Sequence, residues 1–286
     1  MKAMAHVIRF RTAAALLLSV ALVAGCAPAS RRAQPLTVKG SDTMVLLGQR
    51  WAEEYMKAHP DAVIQVTGGG SGTGIAALIN GTTDICQASR PMKDAEREQS
   101  AKAHGQPPVE TVMARDGLSV YLNDANGVQA LTLAQLERIF NGTVTNWKDV
   151  GGRDAPIVCY GRENTSGTYV FFKEHVLHDH PYPPSVQALP GTAAVVNAVA
   201  RDPNGIGYGG AAYAKGVREC PLKQDDASPP ILPTKDNVMN GTYPISRDLY
   251  WYTAAAPTGA AKAFMDWALS ADGQAIVTQV GYFPAH

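Results

Sequence analysis

Three short segments place serine or threonine hydroxyls and glycines between a β-like run and a helical pattern. They span residues 40–44 (GSDTM), 68–74 (GGGSGTG) and 162–168 (RENTSGT). Glycine lets the backbone turn sharply and present successive N–H groups. The first N–H groups of a helix are unpaired and carry partial positive charge. Three such strand–turn–helix junctions predict a binding site for a small anion.

The glycine-rich segment 68–74 matches none of the common nucleotide or nucleophile loops. No Gly-Lys-Ser/Thr follows it, as a Walker A loop requires, and it does not fit the six-residue dinucleotide pattern. It also departs from G-x-S-x-G, because Thr73 occupies the last glycine position. What the segment predicts is a set of backbone donors with Ser71 at a helix start. Segment 40–44, taken alone, is also consistent with a simple helix N-cap.

Segment 162–168 adds positive charge. Arg162 can direct two N–H groups onto a tetrahedral oxyanion. Ser166 and Thr168 supply hydroxyls and backbone donors at the following helix start. Together with the other two segments, this one predicts an oxyanion site.

Two other chemistries have weaker support. The only cluster with metal-ligand residue types is His175, His178, Asp179 and His180, but it runs into three prolines and is typical of a solvated helix end. An esterase would need a base beside Ser71 or Ser166, and no histidine lies in a similarly placed loop. We therefore expect no enzyme activity, no cofactor and no metal.

The N-terminus is typical of an exported lipoprotein. Lys2, Arg9 and Arg11 precede an apolar run. This run is about half the roughly 20 residues of a membrane-spanning helix, so it predicts a signal peptide over 1–25. The run ends in Val-Ala-Gly-Cys, which resembles a lipoprotein cleavage box and implies lipid on Cys26. Residues 26–35 then form a lipidated tether, with the protein in the periplasm or on the outer face of the cell membrane; the alternative is an ordinary signal peptide with an incidental cysteine.

Composition limits the partners. The whole chain has 25 Lys+Arg and 25 Asp+Glu, so removing the three leader cations leaves 22 against 25, a net charge near −3. Such a surface attracts neither anions nor nucleic acid by its overall field, and an anion site must be built from local donors. Export permits a disulfide. Cys159–Cys220 is the favoured pair, because both cysteines lie in the middle third of the chain and are expected to share a lobe.

Short β-like runs alternate with helical patterns through the rest of the chain, which predicts an α/β fold. The remaining length of about 260 residues suits two lobes. We predict one lobe over 36–116 and 247–286, and a second over 117–246. The chain would cross between them near Asp116–Leu118 and Ser246–Leu249.

These segments, with TDI at 83–85, ASRPM at 88–92, IFNG at 139–142 and NW at 146–147, resemble the phosphate-binding protein family of bacterial phosphate ABC transporters. The resemblance runs from about Leu36 to the C-terminus. It implies a two-lobed periplasmic-binding-protein fold of type II with phosphate in the interlobe cleft, a monomer, and ABC transporter permease subunits as partners. The implied ligands are Ser41, Thr43, Met44 (backbone N–H), Ser71, Arg162, Ser166, Gly167 (backbone N–H) and Thr168.

One departure from the family pattern bears on selectivity. Well-understood members have a carboxylate after the position of Asp84 that accepts the proton of HPO₄²⁻, whereas this chain reads Ala88-Ser89-Arg90. Arg90 could pair with the dianion or lie on the surface. Asp116 could replace the missing acceptor, although Arg115-Asp116-Gly117 is equally typical of a turn. The anion could therefore also be sulfate, molybdate or tungstate.

Overall fold

The computed structural model describes residues 34–285. The leader 1–25, the lipidation of Cys26 and most of the tether 26–35 lie outside the described residues. The strands are β1 (Leu36–Gly40), β2 (Ile64–Thr67), β3 (Ile85–Ala88), β4 (Val109–Leu122), β5 (Leu131–Thr132), β6 (Val158–Arg162), β7 (Gln187–Leu189), β8 (Gly205–Gly210), β9 (Arg218–Cys220), β10 (Leu222–Lys223), β11 (Ser246–Thr253) and β12 (Phe283–Pro284). The helices are α1 (Asp42–Ala58), α2 (Ser71–Ile79), α3 (Asp94–His104), α4 (Leu133–Phe140), α5 (Gly167–His175), α6 (Thr192–Arg201), α7 (Lys235–Met239), α8 (Gly259–Leu269) and α9 (Ala271–Val280), with 3₁₀ turns at Trp147–Val150 and Ala211–Tyr213.

One sheet of ten strands runs through the described residues in the order β2-β1-β3-β11-β4-β8-β6-β7, with β12 and β9 also paired to β4. β1 is parallel to β2 and β3, and β6 is parallel to β7 and β8. The parallel strands are linked through helices. This arrangement confirms the α/β class expected from the sequence.

β4 lies in the middle of this sheet and connects its two halves. Up to Gly117 it pairs with β11, and from Leu118 it pairs with β8 and β9. The alternative of a turn at Arg115-Asp116-Gly117 is wrong, because β4 continues through these residues as a strand paired with β11. Gly117 is needed for close approach: a Cβ there would lie 2.5 Å from the Cβ of Pro233.

Two hydrophobic cores flank this crossing. The first draws on residues 36–114, 212 and 249–282, and Trp51, Trp251 and Tyr282 are its largest fully buried members. The second draws on residues 118–245 and Phe283; in it Phe172 and Tyr208 are stacked, and Phe140 packs edge-on against both rings. The cores are those of two lobes joined at the crossing.

The expected Cys159–Cys220 disulfide is contradicted, because both thiols are free. Cys220 lies on β9 and Cys159 on β6, and β4 and β8 run between them. Three strand spacings of about 4.8 Å place the two residues about 14 Å apart. A disulfide requires Cα atoms within about 7 Å.

The described residues contain no helix that is both long and apolar enough to span a membrane.

Candidate functional site

The three predicted loops lie where β1, β2 and β6 end and where α1, α2 and α5 begin. Because the carboxyl ends of parallel strands meet at one edge of a sheet, the loops of each lobe lie together there. α2 begins at Ser71, so this hydroxyl belongs to the first turn of the helix. Neither α1 nor α2 has a side-chain hydrogen bond from its N-cap residue, so no N-cap side chain occupies their first N–H groups.

A cluster of buried serines forms on the first lobe. Ser41 Oγ donates to Ser89 Oγ at 2.9 Å, and Ser89 Oγ lies 3.4 Å from Ser71 Oγ. The backbone N–H of Ser89 donates to Ser71 Oγ at 3.0 Å. Ser89 follows β3 and was not among the expected ligands; its position directly after a buried strand was the signal that could have revealed it.

The second lobe meets this cluster directly. Thr43 Oγ1 on α1 lies 2.9 Å from Thr168 Oγ1 on α5, and the N–H of Gly72 donates to the carbonyl of Thr165 at 2.9 Å. A Cβ on Gly167 would lie 2.3 Å from Ser71 Oγ and 2.7 Å from Ser89 Oγ. Only glycine therefore permits this approach of the two helix starts.

Ser166 is the N-cap of α5. Its Oγ accepts from the N–H groups of Thr168 and Tyr169 at 3.2 and 3.3 Å. Since the oxygen accepts, the hydroxyl proton is free to be donated. The backbone N–H of Met44, an expected ligand, donates to the carbonyl of Ser41 at 3.0 Å.

Arg162 is almost completely buried, with 2% of its surface exposed. Its Nη1 donates to Thr192 Oγ1 at 2.9 Å and its Nη2 to Asp42 Oδ2 at 2.7 Å, while its Nε has no hydrogen-bond partner among residues 34–285. The other carboxylate oxygen of Asp42 accepts from the N–H of Gly69 at 2.8 Å. Asp42 thus joins all three loops, a role that the sequence did not reveal.

Asp116 is buried within the continuous strand β4 and pairs with Arg247 on β11. Arg247 donates to Asp116 Oδ2 from Nε at 3.1 Å and from Nη2 at 2.8 Å. Burial raises the pKa of Asp116, and the charge and hydrogen bonds of Arg247 oppose that rise. Asp116 is linked to the serine and threonine hydroxyls through Arg247, which binds Asp116 and also contacts Ser89 and Thr43. The sequence did not single out Arg247.

Arg90 does not lie on the surface, as one alternative had it, because only 5% of it is exposed. Its two terminal nitrogens each donate to one oxygen of Glu96 at 2.7 Å, and Nη1 also donates to the carbonyl of Pro91 at 2.8 Å. Although burial alone would raise it, the pKa of Glu96 is lowered, by hydrogen bonds from Arg90 and the N–H of Lys93. The guanidinium is therefore bound to Glu96 and has no hydrogen bond to the other expected site residues.

Neither His59 nor His175 has a hydrogen bond to this cluster. His59 and His175 end their helices and contact the carbonyls four residues earlier, those of Tyr55 and Phe171. Within residues 34–285, no three His, Cys, Asp or Glu side chains are grouped closely enough to hold a metal ion. The arrangement offers hydroxyl and N–H donors with buried guanidinium groups behind them, which suits a small acceptor-rich anion.

Comparisons with known proteins agree with this geometry. A family model described as a PBP superfamily domain matches residues 26–272. The chain is 35% identical over 266 residues to the phosphate-binding protein PstS of Pseudomonas aeruginosa, which covers 87% of this chain and 82% of that protein. Its identity to PstS of Bacillus subtilis is 33% over 250 residues, covering 87% of this chain and 80% of that protein.

Solved structures show the same relationship. A phosphate-bound ABC transporter substrate-binding protein from Clostridium perfringens superposes with a TM-score of 0.80 at 29% identity, over 88% of this chain and 100% of that one. An ABC-type phosphate transport receptor from Vibrio cholerae superposes with a TM-score of 0.68 at 27% identity, over 87% and 99% of the two chains. The two-lobed periplasmic-binding-protein fold expected from the sequence is confirmed.

Proposed function

Since this chain belongs to the PstS family of phosphate-binding proteins within the PBP superfamily, we propose that it binds inorganic phosphate and delivers it to an ABC transporter for import. The relatives are named as binding proteins and transport receptors, so the family is one of receptors and not of hydrolases. Delivery would proceed through the permease subunits of the transporter.

The observation that carries the proposal is the meeting of donors from both lobes around the Ser71–Ser89 hydroxyl pair, with Gly167 packed against it. We assign phosphate contacts to Ser89 and to the expected ligands Ser41, Thr43, the Met44 N–H, Ser71, Arg162, Ser166, the Gly167 N–H and Thr168. A hydrogen bond to a charged group contributes about 1.5–3 kcal/mol, and micromolar affinity requires about 8 kcal/mol. Five or six such donors suffice after the costs of association and closure. In this arrangement Met44 also keeps a hydrogen bond to Ser41, so its N–H would be shared.

Binding should favour closure of the lobes, which we assign to residues 36–116 with 247–286 and to residues 117–246. Because ligand contacts come from both lobes, the closed form gains contacts that an open form lacks. The permease would then recognise the closed, loaded form of the monomer. Solution scattering that shows no compaction on adding phosphate would contradict this part.

The chain would act outside the cytoplasm, held to the membrane by lipid on Cys26. The support is the leader pattern of residues 1–25 and the Val-Ala-Gly-Cys box. Metabolic labelling with a tagged fatty acid should modify the wild-type chain and leave Cys26→Ser unlabelled. Equal labelling of both chains would contradict lipidation at this cysteine.

The competing ligands are sulfate, molybdate and tungstate, because a cluster of hydrogen-bond donors can bind any tetrahedral oxyanion. Phosphate is favoured by the relatives, which are named for it. Calorimetry with phosphate and sulfate side by side tests the choice, on protein freed of carried-over phosphate by an enzymatic phosphate trap. We expect at least micromolar affinity for phosphate, which corresponds to about 8 kcal/mol, and weaker binding of sulfate; tight sulfate binding without phosphate binding would overturn the proposal.

A further inference from the structure

We infer that Arg247 is a positioning residue for the anion site: it fixes the donor direction of Thr43 and the place of Ser89 without itself contacting the anion. The inference rests on the proposed function. It concerns a residue of strand β11 that is not part of the three loops that the sequence marks as the site.

Arg247 contacts four separate elements of the structure. It binds Asp116 on β4 through two nitrogens. Its Nη1 donates to the Ser89 carbonyl after β3 at 3.1 Å, and its Nη2 lies 3.4 Å from Thr43 Oγ1 on α1. Its guanidinium carbon lies 5.3 Å from the ring centre of Phe171 on α5. The side chain is only 2% exposed, so these contacts are made away from water.

These contacts determine which way the hydroxyl groups of the cluster donate their protons. A guanidinium only donates, so Thr43 Oγ1 must accept from Arg247 and its proton must point elsewhere. The other hydrogen-bond partner of Thr43 Oγ1 is Thr168 Oγ1, on the facing lobe at 2.9 Å. Thr43 is thereby held with its hydroxyl proton pointing towards the cleft. An anion accepts hydrogen bonds, so this is the direction that it requires.

The contact with Ser89 acts in the same direction. Arg247 holds the Ser89 carbonyl, and the N–H of the same residue donates to Ser71 Oγ. That oxygen is thus occupied as an acceptor, so the Ser71 proton is also available to a ligand. One buried guanidinium therefore orders donors on two loops.

The strand pair provides its own internal control. Arg247 lies opposite Asp116 and Asp248 lies opposite Arg115, at consecutive positions of the β4–β11 ladder. Successive side chains point to opposite faces of a sheet. The Arg115–Asp248 pair is accordingly about one-third exposed, and neither side chain has a hydrogen bond to the three loops among the described residues. It matches the buried pair in residue types, strands and register.

The test compares phosphate affinity in variants of the two pairs. Arg247→Met alone would leave the Asp116 carboxylate buried without a partner, which is a large folding cost. The informative variant is therefore Asp116→Asn/Arg247→Met, with Arg115→Met/Asp248→Asn as its matched control. Thermal unfolding without ligand verifies that each variant is folded at the titration temperature. We expect the Kd for phosphate to rise about tenfold to a hundredfold in the first variant, and by less than about twofold in the control.

A double-mutant cycle with Thr43→Val separates positioning from direct contact. If Arg247 acts through Thr43, the pair variant should have little further effect on the Kd for phosphate once the Thr43 hydroxyl has been removed. The increase in Kd for the combined variant should then be well below the product of the two separate increases. If the increase in Kd for the combined variant equals the product of the two separate increases, the assignment is overturned, since Arg247 would then act independently of Thr43. An unchanged Kd in the folded pair variant would overturn it as well. Absence of phosphate binding by the wild-type chain would instead defeat the proposed function, and the assignment with it.

Discussion

Arg162 Nη2 donates to Asp42 Oδ2 at 2.7 Å, although 120 residues separate them in the chain. Arg162 ends β6 in the second lobe and Asp42 begins α1 in the first. The ion pair therefore spans the same interlobe boundary as the Thr43–Thr168 contact. It makes Asp42 part of the closed arrangement and not only the first residue of a helix.

Replacing Asp42 with Asn should destabilise the chain. Arg162 is buried and would lose its only carboxylate partner among the described residues, and breaking a largely buried pair costs about 2–4 kcal/mol of the free energy of unfolding. Urea denaturation without ligand measures this loss. Asp61→Asn, at an exposed position just after the same helix, is the control and should change stability by less than about 0.5 kcal/mol. Equal stabilities for Asp42→Asn and wild type would show that the pair contributes nothing to the folded state.

Gly167→Ala should weaken phosphate binding at least about tenfold, which is the loss of roughly one hydrogen bond to a charged group. The new methyl group would lie 2.3 Å from Ser71 Oγ and 2.7 Å from Ser89 Oγ, so it would force α5 away from the serine cluster. Calorimetric titration gives the Kd directly. Gly127→Ala is the matched control, because a Cβ there has no neighbour within 4 Å. If both variants bind phosphate as wild type does, the two helix starts do not need this close approach.

The three described cysteines should be free and unreactive in the folded protein. Burial raises the pKa of Cys159 and of Cys220 to about 12, and it also raises that of Cys86. At neutral pH the reactive thiolate is therefore scarce. In a soluble Cys26→Ser variant, iodoacetamide should add nothing before unfolding and three groups after unfolding without reductant, as counted by mass spectrometry. A single added group after unfolding would reveal a disulfide.

The Arg90–Glu96 pair should give the stability a defined pH dependence. The folded-state pKa of Glu96 is lowered from about 4.5, so its contribution is present above that value and is lost as the pH falls through the folded pKa. Glu96→Gln should cost about 2 kcal/mol at pH 7 and progressively less below pH 4.5. Denaturant unfolding at pH 7 and pH 3.5 gives the two differences. A cost that stays constant across this range would mean that the charge of Glu96 is not responsible.

The local sequence predicted the anion site better than it predicted the charged residues around it. Glycines and hydroxyls at strand–helix junctions are local features, and the structure brings Ser41, Thr43, Ser71, Ser166 and Thr168 together as those features suggest. The partners of Asp42 and Asp116 depend on tertiary pairing: Arg247 and Asp116 are 131 residues apart and meet only through the β4–β11 register. The disulfide expectation was wrong for the same reason, since the strand order that separates Cys159 from Cys220 is not visible in their spacing.

The most direct test of the central claim is a crystal structure of the chain with phosphate bound. We predict tetrahedral density within hydrogen-bond distance of Ser71 and Thr43 from one lobe and of Ser166 and Thr168 from the other, with Arg247 still bound to Asp116 and out of contact with the ligand. Phosphate bound elsewhere, or contacting one lobe only, would contradict the account.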